Sequence, residues 1–375
     1  MTGENPEGSE QGMGDYTLYG AEVSYFTGKV RAYLAWRGVP VTEQVATQAV
    51  YRDIILPNVG WPVIPVVKAP DGTIVQDSAE IIDYVEHAEK LAPPAIPQTP
   101  LQRFVAELLH LYADEWLVIP AMHYRWSFNE DWAYAEFGAL SAPEASQPEQ
   151  YEIGKKNGQR FKGALPVLGV SEETIPGIEL SYERFLADFS RHLEVHPYAL
   201  GGRPCLADFA LYGPLYAHLY RDPTSGELMK RVAPKVADWV ERMQAGGKGG
   251  GELLADDAVP ETLEPILARQ MREQFPALEE TVKLFGAWAE TVSPGAFVPR
   301  SLGEIWIDIE DRRGPAQARS FPLLRMQAVT DAYDAMDAGA KARADALLER
   351  VRGLPLKTFR LPKRLTRTSN RLALA

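Results

Sequence analysis

The side chains able to do chemistry fall into a few clusters. Hydroxyls crowd the start of the chain at Tyr19, Ser24, Tyr25 and Thr27. Read locally, Ser24 is a loop or helix-capping serine. The run Asp77-Ser78-Ala79-Glu80 places an acid three residues before a second acid, ahead of the apolar Ile81, Ile82 and Val85. That is a capping-box-like helix start, and the free N–H groups at a helix start suit an anion. Residues 112–137 carry Tyr112, Trp116, Tyr124, Trp126, Phe128, Trp132, Tyr134 and Phe137, with His123 and Arg125 interleaved. Such a stretch is either helix-bundle core or the wall of a pocket for an apolar or aromatic molecule. In the second case His123 or Arg125 would orient an anionic group or polarise a leaving group.

Other constellations are weaker. His192-x-x-x-His196 has the spacing of a zinc-protease pair, but no Glu follows the first His and Pro197 ends the helix. Glu107-x-x-His110 is half of a di-iron carboxylate motif without a second copy. No metal is expected. The single cysteine, Cys205, cannot form an internal disulfide, a four-cysteine zinc site or a CxxC pair. No GxSxG elbow, Walker A loop or GxGxxG is present.

The elements that must position these groups are legible in part. Residues 1–14 read as a disordered leader. Asp15–Gly20 reads as a strand, and Val30, Tyr33, Leu34 and Trp36 give a helix stopped at Gly38. Val39–Thr47 and Val63–Val67 read as strands. The Asp71-Gly72 turn joins the latter to Thr73–Gln76, and a helix follows from Asp77. The order β-α-β-(loop)-β-β-α over 15–90 predicts a small α/β domain with a mixed four-stranded sheet. Pro93, Pro94, Pro97 and Pro100 mark a linker at 91–100. Beyond it, 101–245 reads as all-helical, with helices near 101–116, 178–194, 206–220 and 233–244 and an inserted loop at 140–176. The glycine-rich run 246–251 is a flexible breaker. The remainder, 246–375, reads as a mostly helical extension with helices near 261–274, 277–291 and 323–352. The predicted fold class is α/β plus all-α.

The chain has 375 residues, and its formal net charge of −12 disfavours nucleic acid and acidic membranes as partners. One stretch runs the other way: Gly353–Ala375 has no acid but carries Lys357, Arg360, Lys363, Arg364, Arg367 and Arg371. It reads as a solvated or packed tail, or else as a tail for an acidic partner or lipid surface. No secretory n-region and no spanning apolar run is evident, so a cytoplasmic location is expected.

Four stretches together are similar to a known family. LYGAEVSYFTGKVRAYLAWRGVPV, GWPVIPVV and DGTIVQDSAEIIDYVE resemble the thioredoxin-like N-terminal domain of the glutathione transferase superfamily. YALGGRPCLADFALYGPLY resembles that superfamily's C-terminal helical motif. The resemblance covers about residues 15–245. It implies that Ser24 contacts the glutathione sulfur, with Tyr25, Thr27 and Tyr19 as rival hydroxyls. It implies a cis Ile64–Pro65 bond that turns the Ile64 backbone toward the cysteinyl part of glutathione. It implies that Ser78 binds the γ-glutamyl carboxylate, with Asp77 near the ammonium. Tyr25, Tyr112, Trp116, His123, Tyr124 and Arg125 would then line the second-substrate pocket. Asp208 would close a helix-capping box, made looser here because Cys205 stands where the family has Ser or Thr. The chain departs from the family in one further place, with Tyr25 where Pro often follows the catalytic residue.

The resemblance therefore implies a glutathione transferase with glutathione as cosubstrate, a small hydrophobic electrophile and a homodimer. Conjugation, ether cleavage and dehalogenation all fit such a site, in detoxification or aromatic catabolism. A glutathione-dependent isomerase of the zeta type is a further option, although Ser24-Tyr25-Phe26 lacks its Ser-Ser-Cys cluster. The alternative from another class is a non-catalytic, metaxin-like scaffold. The extension 246–375 is expected to pack on the helical domain as a pocket lid or dimer surface.

Overall fold

The computed structural model describes residues 14–247 and 250–375. The expected leader lies outside them but for Gly14, as do Lys248 and Gly249 of the glycine-rich run. Tyr16 and Leu18 are buried on one strand, β1 (Tyr16–Gly20), and Val66 and Val67 on another, β3 (Val66–Lys68). With β2 (Val41–Val45) and β4 (Ile74–Gln76) they form a sheet of order β2-β1-β3-β4. The β1–β2 pair is parallel and joined by α1 (Tyr25–Arg37), as a parallel crossover requires. Gly38 ends α1 at φ 67, a left-handed position that glycine takes without steric cost. Two short helices, α2 (Gln48–Val50) and α3 (Leu56–Val59), occupy the stretch before β3, where the sequence pattern predicts a loop. The β3–β4 hairpin turns at Asp71-Gly72, where Asp71 accepts from the Thr73 N–H at 2.9 Å.

α4 (Ser78–Glu89) leads into α5 (Pro100–Glu115), α6 (Val118–Phe128), α7 (Glu130–Ser141), α8 (Gln147–Lys162), α9 (Ile175–Val195), α10 (Leu206–Ala217), α11 (Pro223–Val232) and α12 (Pro234–Gln244). α5 is the central helix: every residue from Leu101 to Glu115 except Arg103 is buried. The Cys205–Asp208 box does close. Asp208 accepts from the Cys205 N–H at 3.0 Å and the Cys205 thiol at 3.4 Å, and its other oxygen accepts from Ala199 N–H at 2.9 Å. Burial pushes the Asp208 carboxyl up to about 6, against those donors. His192 is tied to Thr262 and to the Tyr198 carbonyl, and its ring lies beside His196.

Residues 140–176 are not a loop. α8 runs against α7 as a helical hairpin, and its buried positions are Gly154 and Gly158. A Cβ on Gly154 would fall 1.8 Å from the Tyr134 carbonyl oxygen, so only glycine admits this approach. Backbone-to-backbone packing needs no apolar stripe, which is why the periodicity is weak there.

The extension also departs from the helical expectation. α13 (Glu264–Ala289) runs unbroken through Pro276, where two helices were expected. It is followed by a hairpin of β5 (Ser301–Ile309) and β6 (Arg312–Arg319). α14 (Phe321–Asp334) and α15 (Ala338–Arg350) replace one long helix, with Asp337 capping α15 through the Ala340 N–H. A second hairpin, β7 (Leu365–Thr368) with β8 (Arg371–Leu374), takes up most of the basic tail's end. Both hairpins turn on two residues at positive φ: Glu310 and Asp311, then Ser369 and Asn370. Such turns match the twist of the strands they join. α14 and α15 pack on α5, so the extension shares one core with the rest of the chain. Among the described residues, no helix is long and apolar enough to cross a membrane.

Candidate functional site

Strand register brings the distant sequence signals together. Tyr19 pairs with Val66, and Val66 pairs with Gln76. One step further along each strand, Gly20 and Asp77 flank Pro65. The Ser24 loop, the Ile64–Pro65 bond and the Asp77–Ser78 helix start thus meet at one end of the sheet. The Ile64–Pro65 peptide is cis, and so is Ala92–Pro93.

Ser24 caps α1. Its oxygen accepts from the Thr27 N–H at 3.3 Å, which leaves its hydroxyl hydrogen free to donate. The rival hydroxyls are placed otherwise. Tyr25 is buried and donates to the Ala113 carbonyl. Thr27 is fully buried and accepts from the Ala21 N–H at 3.4 Å. Tyr19 packs in a small apolar cluster with Ile55, Val59 and Val66. Burial pushes the Tyr25 phenol well above its usual range, with the Asp114 and Glu115 carboxylates adding to the rise.

Asp77 has φ 90, a strained conformation for a residue with a side chain, of a kind that costs about 1–3 kcal/mol and gathers at ligand sites. Its carboxylate caps α4 by accepting from the Ala79 N–H at 2.9 Å. Ser78, the first residue of α4, is buried. Arg367 of β7 reaches across to this corner. It donates to the Gln76 carbonyl at 3.1 Å and to the Gln76 side chain at 2.5 Å, and it lies 3.6 Å from Asp77. Asn370 of the same hairpin donates to the Val59 carbonyl at 3.4 Å.

The aromatic stretch is organised differently. Arg125 is buried and forks onto Asp222 with two bonds of 2.7 Å. It also donates to the Val23 carbonyl at 2.9 Å and to the Ala217 carbonyl at 2.5 Å. It therefore braces the residue before Ser24 and has no face left for a substrate. His123 lies 3.0 Å from Glu179 and 3.0 Å from Ser127, and burial lowers its pKa against the pull of Glu179. Tyr124 packs on Tyr182, Phe128 and His123. Tyr112 sits on Phe185. None of these side chains is hydrogen-bonded to Ser24 among the described residues; Trp116 of the group lines the larger cavity, described next.

That cavity, of about 40 Å³, lies between the end of α5, α13 and the β5–β6 hairpin. Trp116, Ile119, Leu278, Ile305 and Ile307 give it apolar walls, and Glu115 and Arg319 line it as a charged pair 3.0 Å apart. Burial pushes the Glu115 carboxyl up to about 7, with Arg319 pulling the other way. Neither member of this pair carried a signal in the sequence. Beneath α1, fully buried Lys29 bonds Asp114 at 2.7 Å and His110 at 2.6 Å. Burial raises the Asp114 carboxyl, but Lys29 and His110 outweigh it and hold it below its usual range. Glu107-x-x-His110 belongs to this cluster. Among the described residues, no group of His, Cys, Asp and Glu is placed to hold a metal.

Residues 18–93 match the family model for the N-terminal domain of glutathione S-transferases. No curated protein matches the chain. Among solved structures, the beta-etherase LigF of Sphingobium sp. strain SYK-6 is 18% identical, covering 61% of this chain and 95% of its own, with a TM-score of 0.45. The glutathione S-transferase CsGST63524 of Ceriporiopsis subvermispora, solved with glutathione, is 15% identical over 64% of this chain and 99% of its own, also with a TM-score of 0.45. The Tau class glutathione S-transferase of mango, Mangifera indica, is 20% identical over 67% and 95%, with a TM-score of 0.40. The family match assigns residues 18–93 to the N-terminal domain of glutathione S-transferases, and the chain folds there as a thioredoxin-like domain with a mixed four-stranded sheet, followed by a largely helical region.

Proposed function

We propose that the chain is a glutathione transferase that uses the glutathione thiolate against a small hydrophobic electrophile. The observation that carries this reading is the convergence of Ser24, cis Ile64–Pro65 and Asp77–Ser78 at one end of the sheet. The residues suit the tripeptide. A free thiol titrates near pH 8.5 and is mostly protonated at neutral pH, whereas only the thiolate is a good nucleophile. Ser24 has a hydroxyl hydrogen to donate to the sulfur, and it stands at the N-terminus of α1, whose dipole favours the anion. A hydrogen bond to a charged group contributes about 1.5–3 kcal/mol, which would lower the bound thiol by about 1–2 pKa units. The Ile64 backbone faces the cysteinyl part, and Ser78 and Asp77 hold the γ-glutamyl end.

The thiolate then attacks an electrophilic carbon. The C–S bond forms as the bond to the leaving group breaks, or as a ring opens. Conjugation, ether cleavage and dehalogenation are all cases of this step. Trp116 and Ile119, at the α5–α6 junction, offer the apolar wall for the acceptor.

The test has two layers. Retention on immobilised glutathione and turnover of a chlorinated aromatic acceptor are expected; a protein that does neither is a scaffold of this fold instead. Within an active enzyme, Ser24→Ala should raise the pH at which the bound thiol ionises by about 1–2 units and lower turnover at neutral pH by about 10–20-fold. Unchanged ionisation and turnover would move the sulfur contact to another group.

A further inference from the structure

Glutathione carries two carboxylates and one ammonium at neutral pH, so its binding site must accept net negative charge. The N-terminal domain supplies the opposite at the corner where the γ-glutamyl end is placed. Asp77 and Glu80 stand at the start of α4, and burial together with the Asp77 charge raises the Glu80 carboxyl. Lys29, the buried cation of α1, is already committed to Asp114. The positive charges acting on this corner come from the extension. Arg367 and Arg325 both act on Glu80, and the carboxylates that act on Arg325 are those of Asp77, Glu107, Asp114 and Glu80.

Both arginines have unused donors. The Nε of Arg325 and the Nε of Arg367 are each buried without a hydrogen-bond partner. Arg367 is oriented by Gln76 and by the Asn370 carbonyl, to which it donates at 3.4 Å, and it stays 3.6 Å from Asp77, too far for a closed fork. Its side chain is 11% exposed and that of Asp77 16%. A guanidinium and a carboxylate held apart at a helix N-terminus are complementary to an α-amino acid. The carboxylate takes the ammonium, while the guanidinium and the helix N–H groups take the carboxylate.

We propose that Arg367, with Arg325 behind it, is the carboxylate-binding half of an α-amino-acid zwitterion site whose ammonium-binding half is Asp77, so that the C-terminal extension completes the γ-glutamyl subsite from within the same chain. This inference rests on the glutathione reading above. It assigns a binding role to the acid-free tail, and it makes residues 321–375 part of the ligand site.

The experiment is calorimetric titration of the full-length protein with two ligands: glutathione, and an analogue with hydrogen in place of the γ-glutamyl α-carboxylate. Wild type should bind glutathione about 10–100-fold more tightly than the analogue, the size of a charge-assisted hydrogen bond. Arg367→Ala should lose most of that preference by weakening glutathione alone. Arg367→Lys should recover part of it, and Arg325→Gln should show a smaller loss. Arg367→Ala should still bind the analogue as wild type does, which shows that the variant is folded, so misfolding cannot be mistaken for the expected loss of preference. If wild type binds both ligands equally, the proposal fails. It fails too if Arg367→Ala binds glutathione as wild type does or more tightly; the tighter result would make the hairpin a plug over Asp77. If wild type binds neither ligand, the glutathione reading itself falls.

Discussion

Two arginine–aspartate pairs flank the loop that carries Ser24, and they are built in opposite ways. Arg125 and Asp222 are 2% and 0% exposed, joined by two short bonds, with further guanidinium donors taken by the Val23 and Ala217 carbonyls. Arg367 and Asp77 are partly exposed, 3.6 Å apart, with Nε unpartnered and Asp77 held at φ 90. A buried pair is tolerable only when its bonds are closed, because desolvation is then offset. An open pair at the edge of water keeps capacity for a ligand. The first pair fixes the geometry of the Ser24 loop; the second leaves donors to spend.

Breaking the closed pair should have the largest effect. Arg125→Ala leaves Asp222 buried and unpaired, and denaturant unfolding should show a loss of about 3–5 kcal/mol. A loss no larger than that of a surface change would remove the contrast.

The Glu115–Arg319 pair is intermediate, with Glu115 buried and Arg319 26% exposed, and the Glu115 carboxyl is raised to about 7 from 4.5. A raised folded pKa means that the folded state holds its proton where the unfolded state has lost it. Stability should therefore fall as pH rises from about 4.5 through 7, by about 1–3 kcal/mol. Glu115→Gln should flatten that slope in unfolding measured against pH; an unchanged slope would assign the titration elsewhere.

Tyr25→Phe removes the bond to the Ala113 carbonyl and should cost about 1 kcal/mol in thermal or denaturant unfolding, with little change in the thiol's ionisation. A large upward shift of that ionisation would make Tyr25, not Ser24, the sulfur's partner. The smallest effect on stability is expected at the open pair. Arg367→Ala should change unfolding by at most about 1 kcal/mol, as for other part-exposed pairs, while changing glutathione binding strongly. A large loss of stability there would class it with Arg125.

Much of the site corner was legible. Asp77 followed by Glu80 announced a helix start, and the structure caps α4 with Asp77. The Asp71-Gly72 turn announced the hairpin that sets the register. The strands of the extension were missed although Ile305, Ile307 and Ile309 alternate, because both turns use residues other than glycine at positive φ. The aromatic stretch was ambiguous for another reason. Whether Arg125 or His123 faces a pocket depends on partners such as Asp222 and Glu179, which lie on other helices.

By itself the sequence determined what acts within a few residues: the caps of α1 and α4, the stop at Gly38, the βαβ order of the sheet domain. Those depend on local backbone geometry and on side chains three or four positions apart. Only the tertiary structure decided which polar groups are closed and which remain open. Arg125 finds Asp222 across 97 positions, and Arg367 reaches Gln76 across 291. Spare bonding capacity is a property of the folded surroundings and has no local signature, so Arg367 could be read only as one more charge in a basic tail.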